Sequence, residues 1–181
     1  MPQDSSESSR SAGRTILLGT LAIGIIDILW AIWMTLLEGR DPVRPLQAIA
    51  GGLLGPAAFQ GGSGTAALGL LLHFCIAFVI ITTYYLASRR FPALARRPWL
   101  YGPIYGILVF VVMYQVVLPL SALHTKGIPM GSQLAKGLFI HIFGVGMVAA
   151  LVSKTDGRMV GRQHNPSPFM KRGRGEVNEG G

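Results

Sequence analysis

Four long apolar runs, separated by polar or glycine- and proline-rich stretches, dominate the 181-residue chain. They lie at about residues 15–37, 65–88, 101–123 and 132–153. Each run is long enough for a membrane-spanning helix, which needs about 20 apolar residues. The pattern predicts an all-α polytopic membrane protein with four transmembrane helices.

The stretch between the first two runs has a pattern of its own. Pro42 and Pro45 end the first run, because proline removes a helix hydrogen bond. Apolar residues then recur at helical spacing over about residues 45–60. This segment is too short to cross a bilayer, so we expect a short interfacial helix that lies on the membrane surface or dips partly into it.

Both ends of the chain are polar. Residues 1–14 are rich in serine, and residues 154–181 are rich in glycine, proline and basic side chains. Such compositions bury too little apolar surface to fold alone. We therefore expect a disordered lead (1–14) and a disordered basic tail (154–181) on either side of one transmembrane domain (15–153).

Composition supports a membrane protein, and charge predicts its orientation. Only 13% of the residues are charged, against about 25% in soluble domains, and the mean hydropathy is +0.47. The net charge is +8, and 12 of the 16 Lys and Arg residues lie in the lead, the link at 89–97 and the tail, which four crossings place on one side. Lys and Arg favour the cytoplasmic side, so we expect both termini there. Nucleic acid is not an expected partner, because no basic patch lies on a soluble domain.

Four polar residues interrupt the apolar runs, one in each: Asp27, His73, Gln115 and His141. A titratable group inside a membrane costs free energy unless it has a partner or a cavity. By position along their helices, all four fall between the midplane and the outer leaflet. We expect them to form one buried polar cluster inside the bundle.

Small residues share helix faces with these polar residues, and small side chains let membrane helices approach closely. The glycines that we expect to make helix contacts are Gly24, Gly69, Gly102, Gly106, Gly137 and Gly144. The same faces could join copies of the chain in a homo-oligomer or contact another membrane protein. A short repeat is also visible, because Gly69 to His73 and Gly137 to His141 both read Gly-Leu-x-x-His.

Three interpretations of the cluster stay open. The four side chains could hydrogen-bond one another and fix helix register. They could conduct protons or a small solute, with His73 and His141 titrating beside Asp27. The same three residues could instead bind a metal ion, or the two histidines could hold haem b. No motif of a nucleotide-binding, hydrolase or metalloprotease site is present, so we assign no catalytic residue and do not expect an enzyme.

Several segments resemble a family of small, uncharacterised four-helix bacterial inner-membrane proteins. The most specific are AIAGGLLG-x-AAF-x-GG in the first connection, LGLLLHF at the start of the second run and VVLPLS at the end of the third. The resemblance covers most of residues 15–153. It implies a multi-pass protein of the bacterial inner membrane and no particular activity. The sequence thus predicts a structural or accessory membrane protein, with transport and haem or metal redox chemistry as alternatives.

Overall fold

The computed structural model describes residues 3–154 of the protein, and within that range it contains only helices and connections. Six helices follow in order: α1 (Gln3–Leu37), α2 (Arg44–Leu54), α3 (Gly62–Arg90), α4 (Pro92–Arg96), α5 (Pro98–Leu120) and α6 (Ser132–Lys154). A 3₁₀ segment, Gly55–Gln60, joins α2 to α3. Four helices, α1, α3, α5 and α6, are long and apolar enough to cross a membrane. The all-helical class and the four candidate spans are confirmed.

The start of α1 differs from the expected disordered lead at 1–14, because the helix begins at Gln3 rather than at Thr15. Once a helix is nucleated, each further residue adds one backbone hydrogen bond at little cost. No proline interrupts the serine-rich segment after Gln3, so the helix continues through it. The predicted tail lies outside the described residues from position 155 onwards.

Two ends of the helical bundle can be distinguished. The loop end carries the connections 38–61 and 121–131, and the terminal end carries Lys154 and the link that contains α4. α5 ends at Leu120, directly after Pro119, whose missing N–H group removes a helix hydrogen bond. The terminal half of the bundle is filled by a close-packed apolar core, built from Ile23, Ala77, Ile81, Tyr84, Val109, Val145, Ala149 and Ala150.

The short helix expected at about 45–60 is present as α2, and it packs into the bundle more deeply than a surface helix would. A Cβ on Gly69 of α3 would collide with the α2 backbone at Leu46. Ala50 is fully buried. On the other side of α2, the Gly52 carbonyl accepts a hydrogen bond of 2.8 Å from the Ala122 amide. α2 is therefore held between α3 and the second loop-end connection.

Most of the predicted contact glycines lie where helices meet. Gly102 and Gly106 of α5 face the backbone of α6 at Gly146 and His141, and no Cβ would fit at Gly106. The other expected glycines face side chains: Gly24 meets Phe74, Gly137 meets Phe110, and Gly144 meets Ile140 and Ile26. Because these surfaces are used within one chain, a homo-oligomer would need other surfaces.

Two of the long helices contain π-helical segments. Met113–Val117 lies within α5 and Ile140–Met147 within α6. A π-helical turn holds more residues than an α-helical turn, and such segments occur frequently at functional sites. Both segments lie at the level where the polar residues meet.

Candidate functional site

A chamber of about 170 Å³ lies at mid-depth between α1, α2, α3, α5 and α6. Its polar walls come from Asp27, His73, Tyr114 and His141, and apolar side chains such as Ile49 complete the lining. This volume has room for several water molecules. Three of the four predicted cluster residues therefore reach one cavity.

His73 is the most enclosed of these groups, with 7% of its surface exposed. Its Nε2 lies 2.9 Å from the carbonyl oxygen of Gly24 in α1. A carbonyl oxygen can only accept, so Nε2 carries a hydrogen and donates it. This bond ties α3 to α1, at the point where Gly24 brings the two helices close together.

Asp27 lies opposite the other nitrogen of the same ring. Its Oδ2 is 4.0 Å from Nδ1 of His73, and 28% of the Asp27 side chain is exposed. That separation is too long for a direct hydrogen bond. Because Nε2 already holds a hydrogen, Nδ1 faces the carboxyl group either as a lone pair or as a second N–H group.

His141 and Tyr114 come from the two π-helical segments. The Nδ1 of His141 donates to the Gly137 carbonyl of its own helix over 2.9 Å, which leaves Nε2 for the cavity. The imidazole also lies edge-on to the ring of Phe110, with centroids 5.4 Å apart. His141 thus adds a second histidine to the chamber without linking two helices.

Gln115 is not part of this group. Its side chain is exposed, and it lines neither the chamber nor the wider cavity next to it. The reason is helix geometry. At about 100° per residue, Gln115 lies half a turn around α5 from Gly106, which faces α6. Tyr114 is about 80° from that direction and reaches the chamber instead. The same arithmetic could have been applied to the sequence.

A wider cavity of about 790 Å³ connects this region to the loop end; we call it the vestibule. Four residues, Asp27, Ile49, Tyr114 and His141, line both the vestibule and the chamber. The two cavities therefore meet at these side chains. The apolar core lies on the other side of the chamber, towards the terminal end.

Charged side chains surround the mouth of the vestibule: Glu38, Arg40, Asp41, Arg44 and Lys136. Glu38 is the centre of a network, because it pairs with Arg40 and accepts hydrogen bonds of 2.9 Å from both Gln133 and Lys136. These donors, Lys136 first, lower the pKa of Glu38 to about 2. The network joins the end of α1 to the start of α6.

Metal or haem ligation would need several donor atoms directed at one point. Among residues 10–154, no three His, Cys, Asp or Glu side chains come together as a metal site requires. The ring nitrogens that make hydrogen bonds, Nε2 of His73 and Nδ1 of His141, are directed at backbone carbonyls. The donor atoms do not favour this interpretation over the other two.

Sequence reasoning missed Tyr114, Ile49 and the Glu38 network. The charges of Glu38 and Lys136 were visible, but residues so far apart in sequence give no sign that they pair. Comparison of the chain with protein-family models, curated proteins and solved structures finds no match. The resemblance to bacterial inner-membrane proteins gains no support from these comparisons.

Proposed function

We propose that the chain is a multi-pass protein of the bacterial inner membrane, with both termini in the cytoplasm, that takes up protons or a small polar solute through the vestibule. The observation that carries this proposal is the shared lining of vestibule and chamber by Asp27 and His141. Titratable groups at mid-depth in a membrane helix commonly mark an ion or proton path. Here such groups are reached from one side.

The Asp27–His73 pair is the proposed proton acceptor. The bond from Nε2 to Gly24 fixes one hydrogen on the ring, so a further proton goes to Nδ1 or to the carboxyl group of Asp27. One water molecule could bridge the 4.0 Å between Nδ1 and Oδ2. The other titratable groups facing the pair are His141 and Tyr114.

Transport to the terminal end requires a second conformation, because the apolar core closes that end. The π-helical segments are the proposed sites of this change. They carry Tyr114 and His141, and π-helical turns are local departures from the regular helix. A small rotation of Met113–Val117 would move Tyr114 in the chamber wall and leave Gly102 and Gly106 in contact with α6, since both glycines lie outside that segment.

Proton flux in liposomes tests the proposal. The purified protein is reconstituted with a pH-sensitive dye inside, and a potassium gradient with valinomycin provides the driving force. Asp27→Asn and His73→Gln should abolish the flux that the protein adds to empty liposomes. Gln115→Ala is the matched control and should leave the flux unchanged, since Gln115 lies outside both cavities. Equal flux in all four proteins and in empty liposomes would overturn proton uptake.

A structural role is the second candidate, and the bond from His73 to the Gly24 carbonyl favours it. His73→Gln separates the two roles, because the glutamine amide can still donate to that carbonyl but cannot take up a proton. A structural role predicts that His73→Gln retains the melting temperature that His73→Ala loses. If neither variant changes the melting temperature in detergent, the structural role is wrong.

A further inference from the structure

An apolar groove of about 630 Å³ runs along the outside of the bundle between α1 and α6. Its walls include Ile26 and Leu36 of α1 and Phe139 and Phe143 of α6. Leu36, Phe139 and Phe143 are each about half exposed (52%, 49% and 53%). The groove is thus open along its length, and an apolar chain can enter it from the side.

The groove and the vestibule meet. Trp30 and Ile140 line both cavities, so the apolar groove adjoins a cavity with charged residues at its mouth. The Trp30 ring is packed against Phe139, with centroids 5.1 Å apart. A ligand that fills both spaces must be apolar in one part and polar in the other.

The length of the groove matches one leaflet of a membrane. From Ile26 to Leu36 the helix rises about 15 Å at 1.5 Å per residue. The hydrocarbon core of a bilayer is about 30 Å thick, so one leaflet contributes about half of that. Because Leu36 is next to the loop end, a chain in the groove would place its polar end beside the mouth of the vestibule.

Three cations (Arg40, Arg44 and Lys136) and two carboxylates (Glu38 and Asp41) lie at the mouth, and this small positive excess favours an anion. Glu38 already has Arg40, Gln133 and Lys136 as partners. Arg44 has no carboxylate partner among the described residues, and its guanidinium carbon lies 5.3 Å from the centre of the Phe59 ring. Arginine binds phosphate oxygens through paired N–H groups, and the aromatic ring holds this arginine in place.

We propose that the groove and the vestibule together bind one anionic glycerophospholipid of the loop-end leaflet, with an acyl chain in the groove and the phosphate at Arg44. This inference rests on the proposed placement in a membrane and not on proton uptake. A failure of the flux experiment therefore leaves it intact, and the reverse is also true.

Native mass spectrometry measures the binding. The protein is reconstituted in vesicles of equal parts phosphatidylglycerol and phosphatidylcholine and released into detergent, and the retained lipid is weighed. We expect one phosphatidylglycerol per chain. Arg44→Gln should lower its retention about tenfold, the factor for one lost charge-assisted hydrogen bond. Arg90→Gln is the control, because Arg90 lies similarly over Phe91, at 5.6 Å, but at the terminal end.

A second pair of variants tests the groove. Leu36→Trp fills the groove and should lower lipid retention. Leu71→Trp changes an exposed leucine of α3 outside the groove (62% exposed, against 52% for Leu36) and should not. Equal retention of the two lipids, or equal effects of Arg44→Gln and Arg90→Gln, would overturn the proposal. So would binding of glycerol 3-phosphate, which has no acyl chain, as tight as that of the lipid.

Discussion

The two histidines of the Gly-Leu-x-x-His repeat stand in different surroundings. His73 donates a hydrogen bond to another helix, at Gly24, and lies opposite Asp27. His141 donates to its own helix, at Gly137. A histidine of the first kind holds two helices together, and one of the second kind only changes the polarity of a cavity wall.

The glycines of the repeat differ in the same way. The Cα of Gly69 faces the backbone of α2, whereas that of Gly137 faces only the side chain of Phe110. The first hairpin of the bundle contains the extra helix α2, and the second has no counterpart within residues 3–154. The same spacing in sequence therefore gives two sites of different rigidity. The difference comes from what each glycine contacts: the backbone of α2 at Gly69, and one side chain at Gly137.

The largest expected difference between the sites comes from removal of the histidines. His73→Ala should lower the free energy of unfolding by about 2–4 kcal/mol, because it leaves a cavity between α1 and α3 and removes the bond that joins these helices at the Gly24 carbonyl. His141→Ala should cost less than about 1 kcal/mol, because the carbonyl it leaves belongs to its own helix. Thermal and denaturant unfolding in detergent measure both. Equal losses would show that the two sites are equivalent after all.

A smaller difference is expected for the glycines. Gly69→Ala should cost about 1–3 kcal/mol, since the methyl group would push α2 away from α3. For Gly137→Ala the methyl group would meet one edge of the Phe110 ring and no backbone atom, and we expect a loss below about 1 kcal/mol. Gly64→Ala serves as a control, because a Cβ there meets nothing within 4 Å. Unfolding of the three variants under one condition ranks them; the reverse order would contradict the packing described for α2.

The two histidines should also differ in their energetic coupling to Asp27. In a double-mutant cycle, Asp27→Asn and His73→Gln should couple by about 1 kcal/mol, as expected for groups in one network. Asp27→Asn and His141→Gln should be additive within about 0.5 kcal/mol. If Asp27 couples to His141 and not to His73, the pairing of Asp27 with His73 is wrong.

The smallest effect concerns the contact of α6 with α1 at the loop end. The folded state lowers the pKa of Glu38 from 4.5 to about 2, so it holds the deprotonated form. The stability from Glu38 is present above about pH 4.5 and is lost as the pH falls towards 2. The melting temperature of the protein should fall over this window more than that of Glu38→Gln. Parallel pH profiles would show that the network adds no stability.

Much of the fold could be predicted from the sequence, because run length and composition are sufficient to predict a spanning helix. The candidate spans Gly62–Arg90, Pro98–Leu120 and Ser132–Lys154 lie close to the predicted ranges. The deep position of α2 could not be predicted, since it depends on the fit of its backbone to Gly69. The π-helical segments likewise left no pattern in the apolar runs.

For the candidate site, residue type identified Asp27, His73 and His141 but not their contacts. A charged or titratable residue in an apolar run signals an interior position, whereas the choice of partner depends on distances of a few ångströms. Gln115 shows that residue type alone is not sufficient. A polar residue in an apolar run suggested an interior position, but its place around the helix directs it away from both cavities. Tyr114 carried no comparable signal, since aromatic residues are common on lipid-facing surfaces.

The contact of α5 with α6 has a consequence for the order of events during synthesis. Gly106 offers α6 a strip of bare backbone, and the ribosome makes α5 before α6 exists. Until the last helix leaves the ribosome, that strip has no partner within the chain. We therefore expect the nascent protein to remain with its insertion machinery until α6 is complete, so that truncation before Ser132 would produce a chain prone to degradation.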